Sequence, residues 1–245
     1  MRLPIKIASQ TPRGVSLTSL RHKIALFRCL ERADFLQLEK RLVRRRYPGG
    51  RVLFQMGDEG GSFQIIVRGR VKVVIPSSSG EELILAILAP GDLIGELSLF
   101  DGKPRSATVQ AMEETETLCL HREDLMALMR NRFGIVEKIL EVLARRIRDA
   151  DRQLAENRFL DIATRLAKKL LDLGDAFGVH VEGGTRIGVK VTQNDLASMI
   201  GATRESVNKQ LKALRAQGFI RVEQGMIEIL NRGRLEQRTR MLSGI

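Results

Sequence analysis

The sequence of 245 residues predicts an α+β protein with an N-terminal β-roll or jelly-roll effector domain, a long dimerisation helix and a C-terminal winged helix-turn-helix domain. Three observations predict this class. Short β-rich segments alternate with glycine turns, a long helical run carries apolar residues at alternating spacings of four and three, and a capped helix-turn-helix pattern precedes a hairpin. A chain of this length can form two modest domains, each with its own core.

Changes in composition and periodicity divide the chain into four segments. The first, residues 1–23, is basic and contains Pro4, Pro12 and Gly14, so it is predicted to be a flexible tail. The other three are the β-roll domain at 24–131, the coiled-coil dimerisation helix at 132–158 and the winged helix-turn-helix domain at 159–245.

The β-roll domain is predicted to open with one or two short helices, because apolar residues recur at helical spacings from Ile24 to Leu42. A break at Pro48 and the glycines after it ends this region. The predicted strands that follow are Val52–Gln55, Ser62–Val67, Arg70–Ile75, Glu82–Leu88 and Thr108–Leu120. Repeated short strands with closely spaced glycine turns are typical of a β-roll or jelly roll.

The segment from Arg132 to about Arg158 has the spacing of a two-stranded coiled coil. Its apolar seam consists of Val136, Leu140, Leu143, Ile147, Ala150 and Leu154, with charged residues on both flanks. Such a stripe can also be one buried face of a helix, but its narrowness and length favour pairing. We therefore expect a symmetric homodimer.

The C-terminal segment begins with a predicted helix at Phe159–Leu173, ending at Gly174, and a hairpin within Val179–Val191. Thr192 and the acid three residues later resemble a capping box that starts the first helix of a helix-turn-helix. Gly201 suits the left-handed turn between the helices. Two further strands around Gln224 and Gly225 make the unit winged.

The charge distribution favours a polyanionic partner. The chain carries a net charge of +12, with +6 in residues 1–30, +1 in 31–159 and +5 in 160–245. Nucleic acid is the favoured polyanion, although attachment to a ribosome or a membrane surface would also fit the charge.

The second helix of the helix-turn-helix presents Arg204, Glu205 and Lys209 for base readout in the major groove. Arg204 can donate to guanine, and Glu205 can accept from cytosine. The side chains predicted to contact DNA are Thr192, Gln193, Asn194, Thr203, Arg204, Glu205, Asn208 and Lys209. Those at the two helix starts are better placed for the phosphate backbone, which positions the domain without reading sequence.

A second motif, GELSLFDGKPRSAT, starts at Gly95 and supplies what a small cyclic phosphate needs. Gly95 lets the backbone approach a ligand, Arg105 can grip a phosphate, and the carboxylate of Glu96 suits a ribose hydroxyl. The predicted ligand-binding residues are Gly95, Glu96, Leu97, Ser98, Arg105, Ser106, Ala107 and Asp151.

These residues resemble the phosphate-binding cassette of the cyclic-nucleotide-binding domain in the CRP/FNR family of bacterial transcription regulators, and the run T-R-E-S-V resembles that family's recognition helix. The resemblance spans about residues 24–232 and implies an allosteric, dimeric DNA-binding regulator with an inverted-repeat site and RNA polymerase as a partner. Lys209 stands where the family has a second arginine, which weakens bidentate guanine readout. Asn208 also departs from the small residues common at its position, so we expect a shifted consensus.

The resemblance leaves the effector open. In cAMP-responsive members a threonine and a serine of the long helix approach the adenine, whereas this chain has Ala150 and Asp151. Asp151 accepts only, so it could take the amino group of adenine or two donors of guanine, which leaves cAMP and cGMP as candidates. It could equally form a surface ion pair with Arg148 or Arg152. A cyclic dinucleotide, or no effector at all, is also possible.

Other classes fit less well. Two cysteines, Cys29 and Cys119, do not suggest a disulfide framework, a metal site or an iron–sulfur cluster, and three scattered histidines do not suggest haem. A phosphodiesterase would need a His/Asp metal set, so we expect no catalytic residues and no metal. A nucleotide-binding regulatory subunit would leave the helix-turn-helix unexplained. Without an apolar run near 18 residues or a signal-peptide core, the protein is expected to be cytoplasmic, with no membrane partner.

Overall fold

The computed structural model describes residues 24–28, 30–78 and 80–240. The predicted basic tail and Cys29 lie outside the described residues. The α+β class is confirmed, since a two-sheet β domain, a long helix and a winged helix-turn-helix domain follow one another along the chain.

The N-terminal domain packs two four-stranded antiparallel sheets face to face. One sheet has the strand order β1-β8-β3-β6 and the other β2-β7-β4-β5. Its elements are α1 (Ala25–Arg28), α2 (Arg32–Glu39), β1 (Val43–Tyr47), β2 (Val52–Phe54), β3 (Ser62–Arg68), β4 (Val71–Pro76), β5 (Glu82–Leu88), β6 (Leu93–Ile94), α3 (Leu97–Asp101), β7 (Thr108–Ala111), β8 (Thr115–His121) and α4 (Arg122–Asn131). Phe27 and Phe35 of the opening helices pack edge to face and join the core of this domain.

Two parts of this domain differ from the sequence prediction. The single strand expected at Thr108–Leu120 is two strands, because the chain bends through residues 112–114 and enters the other sheet. Strand β1 was not predicted, since three consecutive arginines hide any apolar alternation. It is held by cross-strand ion pairs, in which Arg44 and Arg46 both contact Glu116 of β8.

The long helix α5 (Phe133–Phe159) has two apolar faces. Ile135 and Ile139 are buried against the β domain. The other face carries the predicted seam, on which Leu140, Ile147 and Leu154 are 57%, 62% and 73% exposed. An apolar stripe left open at seven-residue intervals is what a helix partner would cover.

The C-terminal domain contains a four-stranded sheet of order β11-β12-β10-β9 with helices packed on it. Its elements are α6 (Ile162–Phe177), β9 (Gly178–Val181), β10 (Gly184–Ile187), α7 (Gln193–Ile200), α8 (Arg204–Ala216), β11 (Ile220–Glu223), β12 (Met226–Ile229) and α9 (Arg232–Arg240). The prediction that the first of these helices ends at Gly174 is wrong, since α6 continues to Phe177. Gly174 instead permits close packing, because a Cβ there would lie 2.9 Å from Ile229 Cδ1.

The helix-turn-helix contacts the β domain of the same chain. Helix α7 packs against β5, and Val74 and Ile84 are buried within the hydrophobic core of the C-terminal domain. Lys72 Nζ lies 3.7 Å from Asp195 Oδ1 and 2.8 Å from Glu82 Oε2. Strands β4 and β5 therefore form part of a sheet of the N-terminal domain and also contact the C-terminal domain.

Candidate effector pocket and DNA-reading helix

The cassette predicted from sequence folds as a turn, a short helix and a return loop. Gly95 has a φ of +80°, and a Cβ at this position would collide with the guanidinium of Arg105. Glycine is therefore required for two reasons, the left-handed backbone and the close approach of the arginine. Residues ten apart in sequence are brought into contact.

Arg105 is buried at 6% exposure, and its guanidinium lies between the turn and the aromatic ring of Phe54. Its Nη1 donates to the Gly95 carbonyl at 2.6 Å, and its Nη2 donates to the Ser62 carbonyl at 2.6 Å. Burial lowers the pKa of Arg105, and the nearby carboxylate of Glu96 partly offsets that effect. The residue remains a cation that burial penalises and that an anion would stabilise.

Glu96 is almost fully buried and is paired with Arg146 of α5, which the sequence analysis did not select. Arg146 also donates to the Leu93 carbonyl. A periodicity signal for it existed, because Arg146 follows Ile135, Ile139 and Val142 at helical spacings of four, three and four. A charged residue continuing the face that packs on the β domain is expected to meet a buried partner.

The remaining cassette residues differ in how far their side chains are exposed to solvent. Ser98 is buried beside Gly60, and Ala107 is also buried. Leu97 and Ser106 are exposed. The structure thus brings together Gly95, Glu96, Ser98 and Arg105, and leaves Leu97 and Ser106 at the surface.

Seven buried side-chain polar atoms lack a hydrogen-bond partner within the described part of the chain, and two of them belong to this site. They are Oε2 of Glu96, an acceptor, and Nε of Arg105, a donor. Unpaired buried polar atoms are costly, so a ligand that supplies both a donor and an anionic acceptor would be stabilised here. A ribose hydroxyl and a phosphate supply that pair of groups, so the residues fit a cyclic nucleotide.

The pair selected on the long helix lies on two sides of α5, because Ala150 follows Arg146 by four residues and Asp151 follows it by five. Both are exposed, and Asp151 lies on a side of α5 turned away from the β domain of its own chain. The face that carries Arg146 continues through Asp149, Ala150 and Gln153, which follow it by three, four and seven residues. Gln153 Nε2 donates to the Leu85 carbonyl of β5 at 3.2 Å.

The helix-turn-helix is capped as the sequence predicts. Thr192 and Asp195 form a capping box at the start of α7, and Gly201 ends that helix with a φ of +59°. The hydroxyl of Thr203 accepts from the Ser206 amide at the start of α8. Both helix N-termini are therefore fixed in position.

The side chains predicted to read bases lie on the open face of α8. Arg204, Glu205 and Lys209 are exposed, whereas Val207 and Leu211 anchor the opposite face in the core. Thr192, Asn194 and Thr203 are exposed near the same surface, and Gln193 Nε2 lies 3.4 Å from Asn208 Oδ1. The arrangement presents donors and acceptors at a helix N-terminus, as major-groove readout requires.

A groove of about 200 Å³ adjoins this helix and extends towards the β11–β12 hairpin. Lys190, Lys212 and Arg215 are among its lining residues and were not selected from the sequence. The two residues on α8 could have been found from the sequence, because Lys209, Lys212 and Arg215 recur every three residues on one helix. They add positive charge beside the predicted reading face.

Fold and site together define a class, namely proteins that join a β domain carrying an arginine-containing cassette to a winged helix-turn-helix. Comparison with known proteins gives the family. The cyclic nucleotide-binding domain family matches residues 44–132, and the Crp-like helix-turn-helix domain family matches residues 164–238. The chain belongs to the CRP/FNR family of transcription regulators, and it is a regulator rather than an enzyme.

Several relatives support this assignment. The CRP-like cAMP-activated global transcriptional regulator of Mycobacterium tuberculosis is 35% identical over 89% of this chain and 97% of its own length. The cyclic AMP receptor protein of Thermus thermophilus is 36% identical over 79% of this chain and 87% of its own length. Among solved structures, the c-di-GMP responsive global regulator CLP of Xanthomonas campestris superposes with a TM-score of 0.69 at 25% identity, covering 81% of this chain and 99% of that one.

The described residues contain no group of three or more His, Cys, Asp or Glu side chains arranged to hold a metal ion. None of their helices combines the length and apolar character needed to cross a membrane. Cys119 is a buried free thiol.

Proposed function

We propose that this chain forms a homodimer that binds inverted-repeat DNA and is controlled by a cyclic nucleotide, cAMP or cGMP, held by Arg105 and Glu96. The observation that carries the proposal is the pair of buried, unpartnered atoms, Arg105 Nε and Glu96 Oε2, in one cassette. A cyclic nucleotide supplies an anion to the first and a ribose hydroxyl to the second. The cAMP-activated regulators among its relatives support a nucleotide effector.

The dimer is supported by the open seam of α5. Pairing would cover the exposed apolar side chains of two helices and place the two C-terminal domains on either side of one axis. Two copies of α8 related by a two-fold axis read an inverted repeat whose spacing follows from the dimer. We expect such a regulator to contact RNA polymerase and to act in the cytoplasm.

The residue roles follow from this proposal. Arg204, Glu205 and Lys209 contact base edges, while Thr192, Gln193, Asn194 and Thr203 contact the backbone and Asn208 lies beside the reading residues. In the dimer, Asp151 of each chain faces its partner's side rather than its own pocket, so any contact it makes with nucleotide crosses the seam. Ala150 packs within the seam.

A cyclic dinucleotide is the second candidate effector. The c-di-GMP responsive regulator of Xanthomonas campestris shares this fold. A larger anionic ligand could use the same arginine and would compete with the mononucleotide. A regulator that needs no effector is the remaining alternative, in which the Glu96–Arg146 pair is purely structural.

Fluorescence anisotropy with an inverted-repeat duplex, at one fixed salt concentration, tests the proposal. Nucleotide should tighten DNA binding by the wild-type protein, and Arg105→Gln should lose the response while its circular dichroism is unchanged. Arg68→Gln is the matched control, because Arg68 is an exposed arginine of the same domain. A full response in Arg105→Gln would refute the pocket assignment, and equal affinity for random and inverted-repeat duplexes would refute sequence-specific regulation.

A further inference from the structure

The apolar seam of α5 fixes a heptad register for the residues beside it. Position a of the heptad is taken by Leu140, Ile147 and Leu154, and position d by Val136, Leu143 and Ala150. The residue before each a position is a g position, and the residue after each d position is an e position. In a parallel pair of helices, a g residue lies opposite the e residue that is five places further along the partner, and charged residues at these positions form ion pairs between the helices.

This register predicts which side chains meet across the seam. Within α5 the g residues and the e residues that face them on the partner are Ile139 with Ala144, Arg146 with Asp151, and Gln153 with Arg158. Among these three pairings, Arg146 with Asp151 alone joins a cation to an anion. The two-fold axis of a homodimer repeats the pairing, so each dimer contains it twice.

Asp151 is free to form such a contact. It is exposed, and it forms no ion pair within the part of the chain that the structure describes. The neighbouring Arg152 is engaged by Asp149 instead, with 2.7 Å between Nη2 of the arginine and Oδ1 of the aspartate. The carboxylate of Asp151 is therefore available to a second chain.

Arg146 has donors to spare for that carboxylate. Its Nη1 donates to Oε1 of Glu96, and its Nη2 donates to the Leu93 carbonyl. A guanidinium carries five N–H groups, so further donors remain. The side chain of Arg146 is 33% exposed whereas that of Glu96 is 3% exposed, so a second anion can reach the arginine from outside the chain.

We propose that, in the dimer, Asp151 of each chain forms an ion pair with Arg146 of the partner subunit. The proposal rests on the homodimer proposed above, and it gives Asp151 a role other than contact with the nucleotide. Because Arg146 also holds Glu96 of its own cassette, each chain contributes an anion to the charged network beside the other chain's effector pocket. The same arginine thus belongs both to the pocket and to the dimer interface.

Sedimentation equilibrium of the full-length protein tests the ion pair. Asp151→Asn keeps the shape of the side chain and removes its charge, so it should raise the dimer dissociation constant roughly 3-fold to 30-fold, the range for losing two partly exposed ion pairs. The effect should shrink in about 1 M salt, because salt screens exposed charges. Asp149→Asn is the matched control and should leave the constant unchanged, since Asp149 lies outside positions e and g and pairs with Arg152 of its own chain.

A combined variant identifies the residue that Asp151 meets. In a protein that carries Arg146→Met together with Glu96→Gln, adding Asp151→Asn should cause no further weakening of the dimer, because the cation is already gone. The same weakening in that background as in the wild type, or an unchanged dissociation constant in Asp151→Asn alone, would overturn the ion pair and leave the homodimer standing. A wild-type protein that stays monomeric at every concentration measured would overturn both.

Discussion

Replacing Ile147 by glutamate should dissociate the proposed dimer. Ile147 is 62% exposed in the single chain and lies at the centre of the seam, between Leu140 and Leu154. Full burial of such a side chain stabilises by about 1.5–3 kcal/mol, so covering the exposed part in both subunits contributes about 2–4 kcal/mol. Losing that contribution weakens the dimer roughly 30-fold to 1,000-fold, before the repulsion of two facing carboxylates is added.

Sedimentation equilibrium over a range of protein concentrations measures this effect directly. Arg148→Glu, which also introduces an acid on α5 but away from the seam, is the matched control and should leave the dissociation constant near the wild-type value. Ile147→Glu should also lose affinity for an inverted-repeat duplex while retaining affinity for a single half-site. An unchanged dimer in Ile147→Glu, or a monomeric wild-type protein at tens of micromolar, would refute the reasoning.

Three further predictions concern other parts of the molecule. Arg146→Met should destabilise the fold by about 2–3 kcal/mol in urea unfolding, because it leaves the buried Glu96 carboxylate without its cation, and adding Glu96→Gln should recover at least half of that loss. Lys209→Arg should raise the preference for guanine at one position of each half-site by about fivefold in competition binding, because a guanidinium can donate to two acceptors at once. Burial raises the pKa of Asp172 above its ordinary 3.8, so its ionised form opposes folding. Asp172→Asn should therefore raise the melting temperature at pH 7 in calorimetry, and the gain should vanish as the pH falls below that ordinary value. A gain that grew on acidification would contradict the sign of the shift.

The local parts of this architecture could be predicted from sequence because their causes are local. The capping box at Thr192, the left-handed glycine at Gly201 and the turn at Gly95 depend on residues within a few positions of one another. Fold class and family are confirmed for the same reason, since both motifs are continuous in sequence. The dimer and the roles of individual site residues remain predictions.

The missed features depend on contacts between distant residues. Arg146 is 50 positions from its partner Glu96, and Gln153 is 68 positions from Leu85. On a helix that carries many charges, neither residue differs in type from its solvated neighbours. Only the second periodic face of α5, which starts at Ile135, distinguishes them, and it is masked by the stronger seam pattern beside it.

Strand β5 offers a short route by which a pocket could influence the DNA-binding domain. Ile84 of this strand is buried in the core that contains α7, and the next residue, Leu85, accepts the hydrogen bond from Gln153. A nucleotide that shifted α5 would act, through Gln153, on the carbonyl adjacent to that buried contact. A 100-fold change in DNA affinity requires about 2.7 kcal/mol of coupling. That is within the range of one apolar side chain gaining or losing its burial, about 1.5–3 kcal/mol, so repacking around Ile84 is large enough to supply the coupling that the proposed function requires.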